Sequence, residues 1–341
     1  MIVDKYSLNR ITIEQLEHWE ETRPKQTVFQ TSSWLKFLVM DQQIEPVILE
    51  IEQKGIIKGI FVGGIVKKLG VKILGSPFEG WMTGDMGFIV LQEDFDYKEA
   101  ILAIRKYAFL KLNCWFVQIN DKNIPADIVI EDVKKEYITD LTLDLSGDVE
   151  NIFEGFKKST RKKLRQFTRK GAFVREIEFD EKFVNEFYEE IKDVFHKQKL
   201  KPPYSKEKLL HMSECVKKDL VYPLEVISPQ GKVIATTITL GKNDWAYTLL
   251  TASYREYQNY LPNETLRWET IKYWKNKGCT HCDFCGYREY KLKFNPNVVK
   301  VPVFIMERVP GLLYAKKKAK KAIVILRTIR GLIKNRGVHF D

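Results

Sequence analysis

The sequence lacks several features that define common classes of protein. Its first ten residues, MIVDKYSLNR, contain neither the basic segment nor the apolar run of a secretory signal. Lysines interrupt the apolar segment 55–75, and no apolar run reaches the roughly 18 residues that a membrane span requires. We therefore expect a cytoplasmic protein. The patterns GxxxxGKS/T and GxGxxG are absent, so the sequence does not support ATP or a dinucleotide as cofactor.

Cysteine is scarce as well. Five cysteines, an odd number in a long chain, favour reduced thiols over a disulfide framework. Three of them, Cys279, Cys282 and Cys285, form a CxxCxxC pattern that could suggest a metal site. Side chains three apart on a strand point to opposite faces, so these thiols would not converge if all three lay on the predicted strand. We interpret them as small apolar packing residues and expect no metal.

The basic residues are concentrated in two places. The net charge is +11, but residues 157–175 hold nine Lys/Arg and residues 308–336 hold ten, with no acid in either stretch. The rest of the chain is net acidic. Such patches indicate polyanionic partners, namely phosphate esters, nucleic acid or anionic lipid. The alternative is that they are two solvated helix faces.

Two sequence patterns occur twice. Segments 46–66 and 223–241 each read as a strand, a glycine turn and a second strand, and segments 99–120 and 264–286 each read as a helix followed by a strand. Chance similarity of generic hairpins is the alternative. We predict an α/β fold with mixed sheets in which one unit is used twice, over residues 1–145 and 146–310. Residues 311–341 are predicted to form a basic amphipathic helix.

Four segments, 29–38, 75–87, 156–172 and 260–294, together resemble the Fem family of interpeptide-bridge aminoacyltransferases and its relatives in the GNAT acyltransferase superfamily. The last segment is the most specific, because Asp283, Gly286, Lys293 and Phe294 stand at the places of a family motif. The resemblance implies two tandem GNAT-like domains. It also implies aminoacyl transfer from aminoacyl-tRNA to an amine of a peptidoglycan precursor, without a metal or organic cofactor.

The acyl donor stays open at this point. The chain lacks the Q/R-x-x-G-x-G/A loop typical of acyl-CoA enzymes, and segment 178–225 leaves no room for the long helical hairpin with which some Fem proteins hold tRNA. An acyl-CoA-dependent N-acyltransferase of surface-polysaccharide synthesis is therefore one alternative. A noncatalytic basic module that binds nucleic acid or membrane is another.

The resemblance and the local chemistry suggest site residues. Lys293 is expected to stabilise negative charge that develops during transfer, and Asp283 to act as base or orienting group. Predicted substrate contacts are Lys36, Lys201, Asn120, Asp121, Trp81, Tyr247 and Tyr254. Predicted polyanion contacts are Arg161, Lys162, Arg165 and Arg169. For the lysines, the alternative is a solvated surface position; for the aromatic residues, it is the core.

Expected partners follow from the same resemblance. They are an anionic glycan or muropeptide precursor, lipid-linked or not, and tRNA. The basic helix 311–341 is expected to contact anionic membrane at its inner face. We expect a monomer.

Overall fold

The computed structural model describes residues 5–312, except 23, 24, 69, 79, 198 and 203. Within these residues the chain forms the predicted mixed α/β fold, a sheet of 13 strands with helices packed against it. None of the helices in this part of the chain has the length and apolar character of a membrane span. From residue 313 onward, the predicted basic helix lies outside the described residues.

The first half of the chain supplies seven strands and three helices. The strands are β1 (Ser7–Ile11), β2 (Glu45–Gln53), β3 (Ile56–Lys68), β4 (Val71–Ser76), β5 (Gly87–Val90), β6 (Phe116–Asn120) and β7 (Lys134–Asp144). The helices are α1 (Ile13–Thr22), α2 (Ser32–Gln42) and α3 (Tyr97–Leu110). The predicted first hairpin is β2–β3, and the predicted helix and strand are α3 and β6.

The described residues of the second half supply six strands and five α-helices. The strands are β8 (Phe173–Glu176), β9 (Val221–Ile227), β10 (Val233–Lys242), β11 (Trp245–Ser253), β12 (His281–Asp283) and β13 (Asn297–Glu307). The helices are α4 (Val149–Gly155), α5 (Lys158–Phe167), α6 (Glu181–Lys197), α7 (Lys206–Cys215) and α8 (Pro262–Asn276). The second predicted hairpin is β9–β10, and α8 with β12 repeats the helix–strand pattern.

Local chemistry fixes several helix ends. Asp148 begins α4, and its carboxylate accepts the Asn151 N–H at 2.7 Å. Asp96 caps α3 in the same way. Gly171 follows the basic helix with φ +75°, a left-handed conformation that glycine adopts without a Cβ penalty.

The strand order shows how the halves are related. It runs β1-β2-β3-β4-β6-β13-β7-β12-β11-β10-β9-β8, with β5 added to β3. Every neighbouring pair is antiparallel except β4–β6 and β11–β12, which are parallel. A helix, α3 or α8, lies between the two strands of each parallel pair in the chain, so each half contains the same crossover.

Strand β13 belongs to the second half of the chain but pairs with two strands of the first half. Its Val303 is opposite Asn120 of β6, while its Asn297 is opposite Thr142 of β7. Strand β7 in turn pairs with β12. The two halves thus form one continuous sheet, and the boundary between residues 145 and 146 stays a prediction.

Packing also links the halves. One buried cluster combines Trp34 and Trp81 of the first half with Phe187 and Tyr247 of the second. A second cluster, built on the first half, includes the completely buried Phe304 of β13. Where α7 meets α2, the Lys208 amine contacts Asp41 Oδ2 at 2.5 Å in a buried ion pair.

Phe304→Ala should destabilise the protein by about 3–5 kcal/mol, because it empties a buried site in the core of the first half. Val298→Ala, on the same strand but 57% exposed, should change stability by less than about 0.5 kcal/mol. Urea denaturation of both variants measures the difference. Equal stabilities would contradict the placement of β13 in that core.

Candidate active site

Residues at the ends of two equivalent strands meet near the middle of the sheet. Asn120 ends β6 in the first half, and Asp283 ends β12 in the second. Lys122 follows β6, and its amine lies 2.6 Å from Asp283 Oδ2. This contact joins the two halves of the chain near the middle of the single sheet. We treat its surroundings as the candidate active site.

The Lys122 side chain lies between carboxylates and aromatic rings. Its amine is 3.2 Å from Asp85 Oδ1, 3.9 Å from the centre of the Trp245 ring and 4.7 Å from that of Tyr247. Burial alone disfavours a charged amine, but the carboxylates of Asp85 and Asp283 outweigh it and hold the pKa of Lys122 well above its usual range. Lys122 is therefore a fixed cation and not a nucleophile.

Asp85 lies on the loop between β4 and β5 and is almost completely buried. Its Oδ1 accepts a hydrogen bond from the Tyr247 hydroxyl at 3.2 Å, whereas its buried Oδ2 has no partner among the described residues. Burial raises the pKa of Asp85, against the opposing effect of Lys122. An unpaired buried carboxylate oxygen is costly, and such groups in native proteins often mark functional sites.

Asp121 is also fully buried, and it approaches the backbone closely. Its carboxylate accepts the N–H groups of Phe88 and Asn123, each at 2.8 Å. Gly87 has φ +77°, and a Cβ there would lie 2.3 Å from Asp121 Oδ2, so only glycine fits. Burial, helped by the charge of Asp85, raises the pKa of Asp121 to about 7.

Asp140 of β7 forms a carboxylate pair with Asp283. Asp140 Oδ1 accepts the N–H groups of Leu141 and Gly286 at 2.7 Å, and Asp283 Oδ1 accepts the Cys285 N–H at 2.6 Å. Burial raises the pKa of Asp140 to about 6, and the negative charge of Asp283 adds to this effect. Proton exchange near pH 6 is therefore available at Asp140.

The site has more carboxylates than cations. Four aspartates interact with Lys122 through the contacts and charges described above, and the buried Lys291 adds a second cation near Asp140 and Asp283. A cavity of about 270 Å³ opens beside them, and its lining includes Asp283, Lys122, Lys300, Trp245 and Val301. Over the described ranges, no group of His, Cys, Asp and Glu is arranged to hold a metal ion. Asp283 is the member of the cluster that lines the cavity, so its carboxylate is placed to contact an organic cation bound there.

The structure brings some of the predicted site residues together and leaves others apart. Asp283, Asp121 and Tyr247 belong to the cluster, and Asn120 adjoins it, since its amide donates to the Gly84 carbonyl at 3.0 Å. The remaining residues lie elsewhere. Trp81 is a core residue at 2% exposure, Lys36 pairs with Glu17 at 3.0 Å, Tyr254 lies near the amines of Lys197 and Lys232, and Lys201 is exposed.

Lys293 and Asp283 make separate contacts. The Lys293 amine pairs with Glu264 of α8 at 2.7 Å, and no hydrogen bond or ion pair joins it to Asp283 in the described part of the chain. The nearby Lys291 is buried, and its amine donates to the Phe284 and Gly286 carbonyls at 2.5 and 3.0 Å. Burial lowers the pKa of Lys291. Lys291 therefore holds the turn that follows Asp283.

The predicted polyanion contacts lie on and just after α5. Arg161 and Arg165 both pair with Glu154, at 3.3 and 3.0 Å, so an acid of α4 already engages them. Lys162 and Arg169 are exposed and make no ion pair with a described acid. The surface that remains for a polyanion is smaller than the sequence suggests.

Sequence reasoning missed Lys122, Asp85, Asp140 and Trp245. Asp85 lies within the 75–87 segment that carries the family resemblance, and Lys122 directly follows a predicted site residue. No local sequence pattern identifies Asp140, because its role depends on the register that places β7 beside β12.

Asp140→Asn should change how stability depends on pH. The pKa of Asp140 is about 6 in the folded protein and about 4 in an unfolded chain. The folded state therefore holds an extra proton between these values, and stability falls as pH rises from about 4 to about 6. Asparagine keeps the oxygen that accepts both backbone N–H groups and does not titrate. The variant should thus gain about 3 kcal/mol relative to wild type across this window.

Denaturant midpoints between pH 4 and 8 measure this difference. Asp127→Asn, at an exposed position, is the control and should follow the wild-type curve. A constant offset between Asp140→Asn and wild type would show that Asp140 titrates normally.

Comparisons with known proteins agree with the α/β fold described above. Residues 155–292 match the family described as an acetyltransferase (GNAT) domain. A comparison of the sequence with curated proteins finds no match. Among solved structures, FemX is similar with a TM-score of 0.72 at 13% identity, over 91% of this chain and 99% of that one.

Two further structures share the fold. L-PGS from Bacillus licheniformis has a TM-score of 0.56 at 12% identity, over 90% of this chain and 95% of that one. A tandem GNAT protein from the clavulanic acid biosynthesis pathway has a TM-score of 0.52 at 7% identity, over 89% and 99%. At these identities the likeness concerns the fold, and it confirms the expected resemblance to Fem and tandem GNAT proteins. Residues 155–292 thus match a GNAT acetyltransferase domain, and this match supports an acyltransferase.

Proposed function

We propose that the protein transfers an aminoacyl or acyl group to the primary amine of a cell-wall or surface-glycan precursor. The observation that carries the proposal is the surplus of buried carboxylates around Lys122, beside an open cavity. A primary amine is a cation at neutral pH, so it complements this surplus. The unpaired Asp85 Oδ2 is one further acceptor in the cluster.

The same carboxylates suit the proton transfer. An ammonium group must lose a proton before it can attack, and a carboxyl with a pKa of about 6 accepts one near neutral pH. In the proposed step the ammonium group first gives a proton to Asp140, and the neutral amine nitrogen then bonds to the carbonyl carbon of the donor. The bond from that carbon to the ester oxygen or thioester sulfur breaks, and a second proton passes from nitrogen, by way of Asp283, to the leaving oxygen or sulfur.

The remaining site residues would position these groups. Lys122 contacts Asp283 from one side and the Cys285 N–H contacts it from the other, so the carboxylate has a fixed orientation. Trp245 covers the Lys122 amine and limits its contact with water. Fixed charges of this kind need little reorganisation during the reaction.

For the donor we propose aminoacyl-tRNA, with acyl-CoA as the second candidate. The exposed Lys162 and Arg169 favour a polyanionic donor. The GNAT domain match favours acyl-CoA, which GNAT enzymes use as co-substrate. This match also favours an enzyme over a noncatalytic basic module. Membrane contact through residues 311–341 stays a proposal, since nearly all of them lie outside the described residues.

Mass spectrometry separates the two donors. The purified protein is incubated with charged tRNA or with acyl-CoA, and with a panel of amines that includes nucleotide-linked muropeptides. We expect a product whose mass increases by one aminoacyl or acyl group with one donor. No product with either donor across the panel would rule out the proposal.

Asp283→Asn should lower the transfer rate by about 10²- to 10⁴-fold, because the amide cannot accept the proton. Asp127→Asn, at an exposed position outside the cavity lining, should keep the wild-type rate. Initial rates with the active donor, together with thermal melting to show that both variants fold, provide the test. A folded Asp283→Asn variant with near-normal activity would remove Asp283 from the mechanism.

Lys293→Ala should cost about 3 kcal/mol of transition-state stabilisation, or roughly 10²-fold in rate, if Lys293 stabilises the developing charge. Lys163→Ala is a matched control, since the Lys163 amine also contacts Glu264, at 3.6 Å. If both variants keep nearly the wild-type rate, Lys293 only balances the charge of Glu264.

A further inference from the structure

Three chain segments meet at the end of the sheet opposite the candidate active site. Residues 67–72 form the turn between β3 and β4, residues 110–115 lead from the end of α3 to β6, and residues 308–312 follow β13. The Trp115 N–H donates to the Lys72 carbonyl at 2.9 Å, and the Trp115 carbonyl accepts the Arg308 N–H at 3.0 Å. Backbone hydrogen bonds thus hold the three segments side by side. We call the surface that they form the tip.

Apolar side chains are exposed at the tip. Leu110 is 66% exposed, Val309 is 47% exposed and Trp115 is 41% exposed. Their neighbours Ala108 and Leu112 are buried in the core of the first half, so this core forms without the three exposed side chains. Single exposed apolar residues are ordinary, but a group of them on adjoining segments marks a contact with a protein or a membrane.

Basic side chains lie on the same three segments. They are Lys67, Lys68, Lys72, Lys111 and Arg308. None of the five forms an ion pair with a described acid, and the three segments contain no Asp or Glu. The adjoining Glu307 accepts the Gly311 N–H at 3.0 Å. The tip is therefore a cationic surface with an apolar patch.

The chain leaves the described part of the structure from this same surface. It continues from Leu312 into residues 313–336, which hold nine Lys/Arg and no acid. Cations at the edge of an apolar patch complement an anionic bilayer, because the lysines attract the headgroups while tryptophan and leucine enter the interface. A nucleic acid would use the charges but would leave Leu110 and Val309 without an apolar partner.

We propose that the tip docks on an anionic lipid bilayer, with Leu110 and Trp115 in the interface and the five basic side chains at the headgroups. This contact depends on folded segments and is separate from the one expected of residues 311–341. Strand β6 runs from the tip to Asn120, five residues beyond Trp115, so the active site would stand roughly 17 Å above the lipid surface. The proposal does not depend on the donor or the acceptor of the transfer reaction.

Sedimentation of the full chain with vesicles tests the tip without relying on transfer activity. The vesicles contain phosphatidylcholine and phosphatidylglycerol in equal parts, and pure phosphatidylcholine is the neutral reference. The triple variant Lys67→Gln, Lys72→Gln and Lys111→Gln should bind the anionic vesicles roughly 10²-fold more weakly, since each basic residue near an anionic leaflet contributes about fivefold. The control variant Lys54→Gln, Lys98→Gln and Lys182→Gln loses the same charge at exposed positions outside the tip and should bind within about twofold of wild type.

The apolar patch has its own matched pair of variants. Leu110→Ser should weaken vesicle binding by about tenfold, because it removes a side chain that enters the interface. Val129→Ser, at a position outside the tip that is 72% exposed, should bind as wild type does. Brominated lipid should quench part of the tryptophan emission of the bound wild type, and this part should be lost in Trp115→Phe. Thermal melting shows whether each variant folds.

Equal binding of the tip and control variants, or equal binding to neutral and anionic vesicles, would overturn the proposal. Unchanged quenching in Trp115→Phe would also overturn it, because Trp115 would then lie away from the bilayer. If Leu110→Ser lowers the melting temperature and leaves vesicle binding unchanged, another part of this chain covers the patch and the proposal is wrong. A tip variant that loses binding to tRNA and keeps its binding to vesicles would assign the surface to nucleic acid instead.

Discussion

The backbone hydrogen bonds of β13 hold the two halves of the protein in one sheet. On one edge β13 pairs with β6, and on the other it pairs with β7 over nine residue pairs. Since β7 continues the ladder to β12, these pairings fix where β6 and β12 end. The distance between Lys122 and Asp283 therefore depends on the sheet, and not on a flexible interface between two domains. A site built on strands is more rigid than one built on loops.

The buried aspartates around Lys122 require precise placement of the groups that contact them. Removing a carboxylate from water costs several kcal/mol, and only a well-placed cation offsets this cost. Lys122 contacts Asp85 and Asp283 and opposes it, while burial still raises the pKa of Asp85, Asp121 and Asp140. The cluster thus combines ionised groups with groups that can hold a proton at neutral pH. Acid–base chemistry near pH 7 requires this kind of mixture.

The sequence predicts the repeated parts of the fold well, because local patterns determine them. Alternating apolar residues and glycine turns identify both hairpins, and the helical spacing in α3 and α8 identifies the two crossovers. The position of β13 could not be predicted, since it depends on pairing between distant segments. Of the candidate site, Asp283 and Asp121 could be placed through a resemblance. Lys122 and Asp140 could not, because only the assembled sheet brings them together.

The same topology has a consequence for synthesis on the ribosome. Strand β6 is complete once Asn120 has been made, but its partner β13 ends at Glu307. Until then one edge of β6 lacks its partner, and Phe304 is missing from the core of the first half. Exposed strand edges and incomplete cores favour aggregation. A nascent chain of this protein is therefore expected to depend on chaperones until most of its length has emerged.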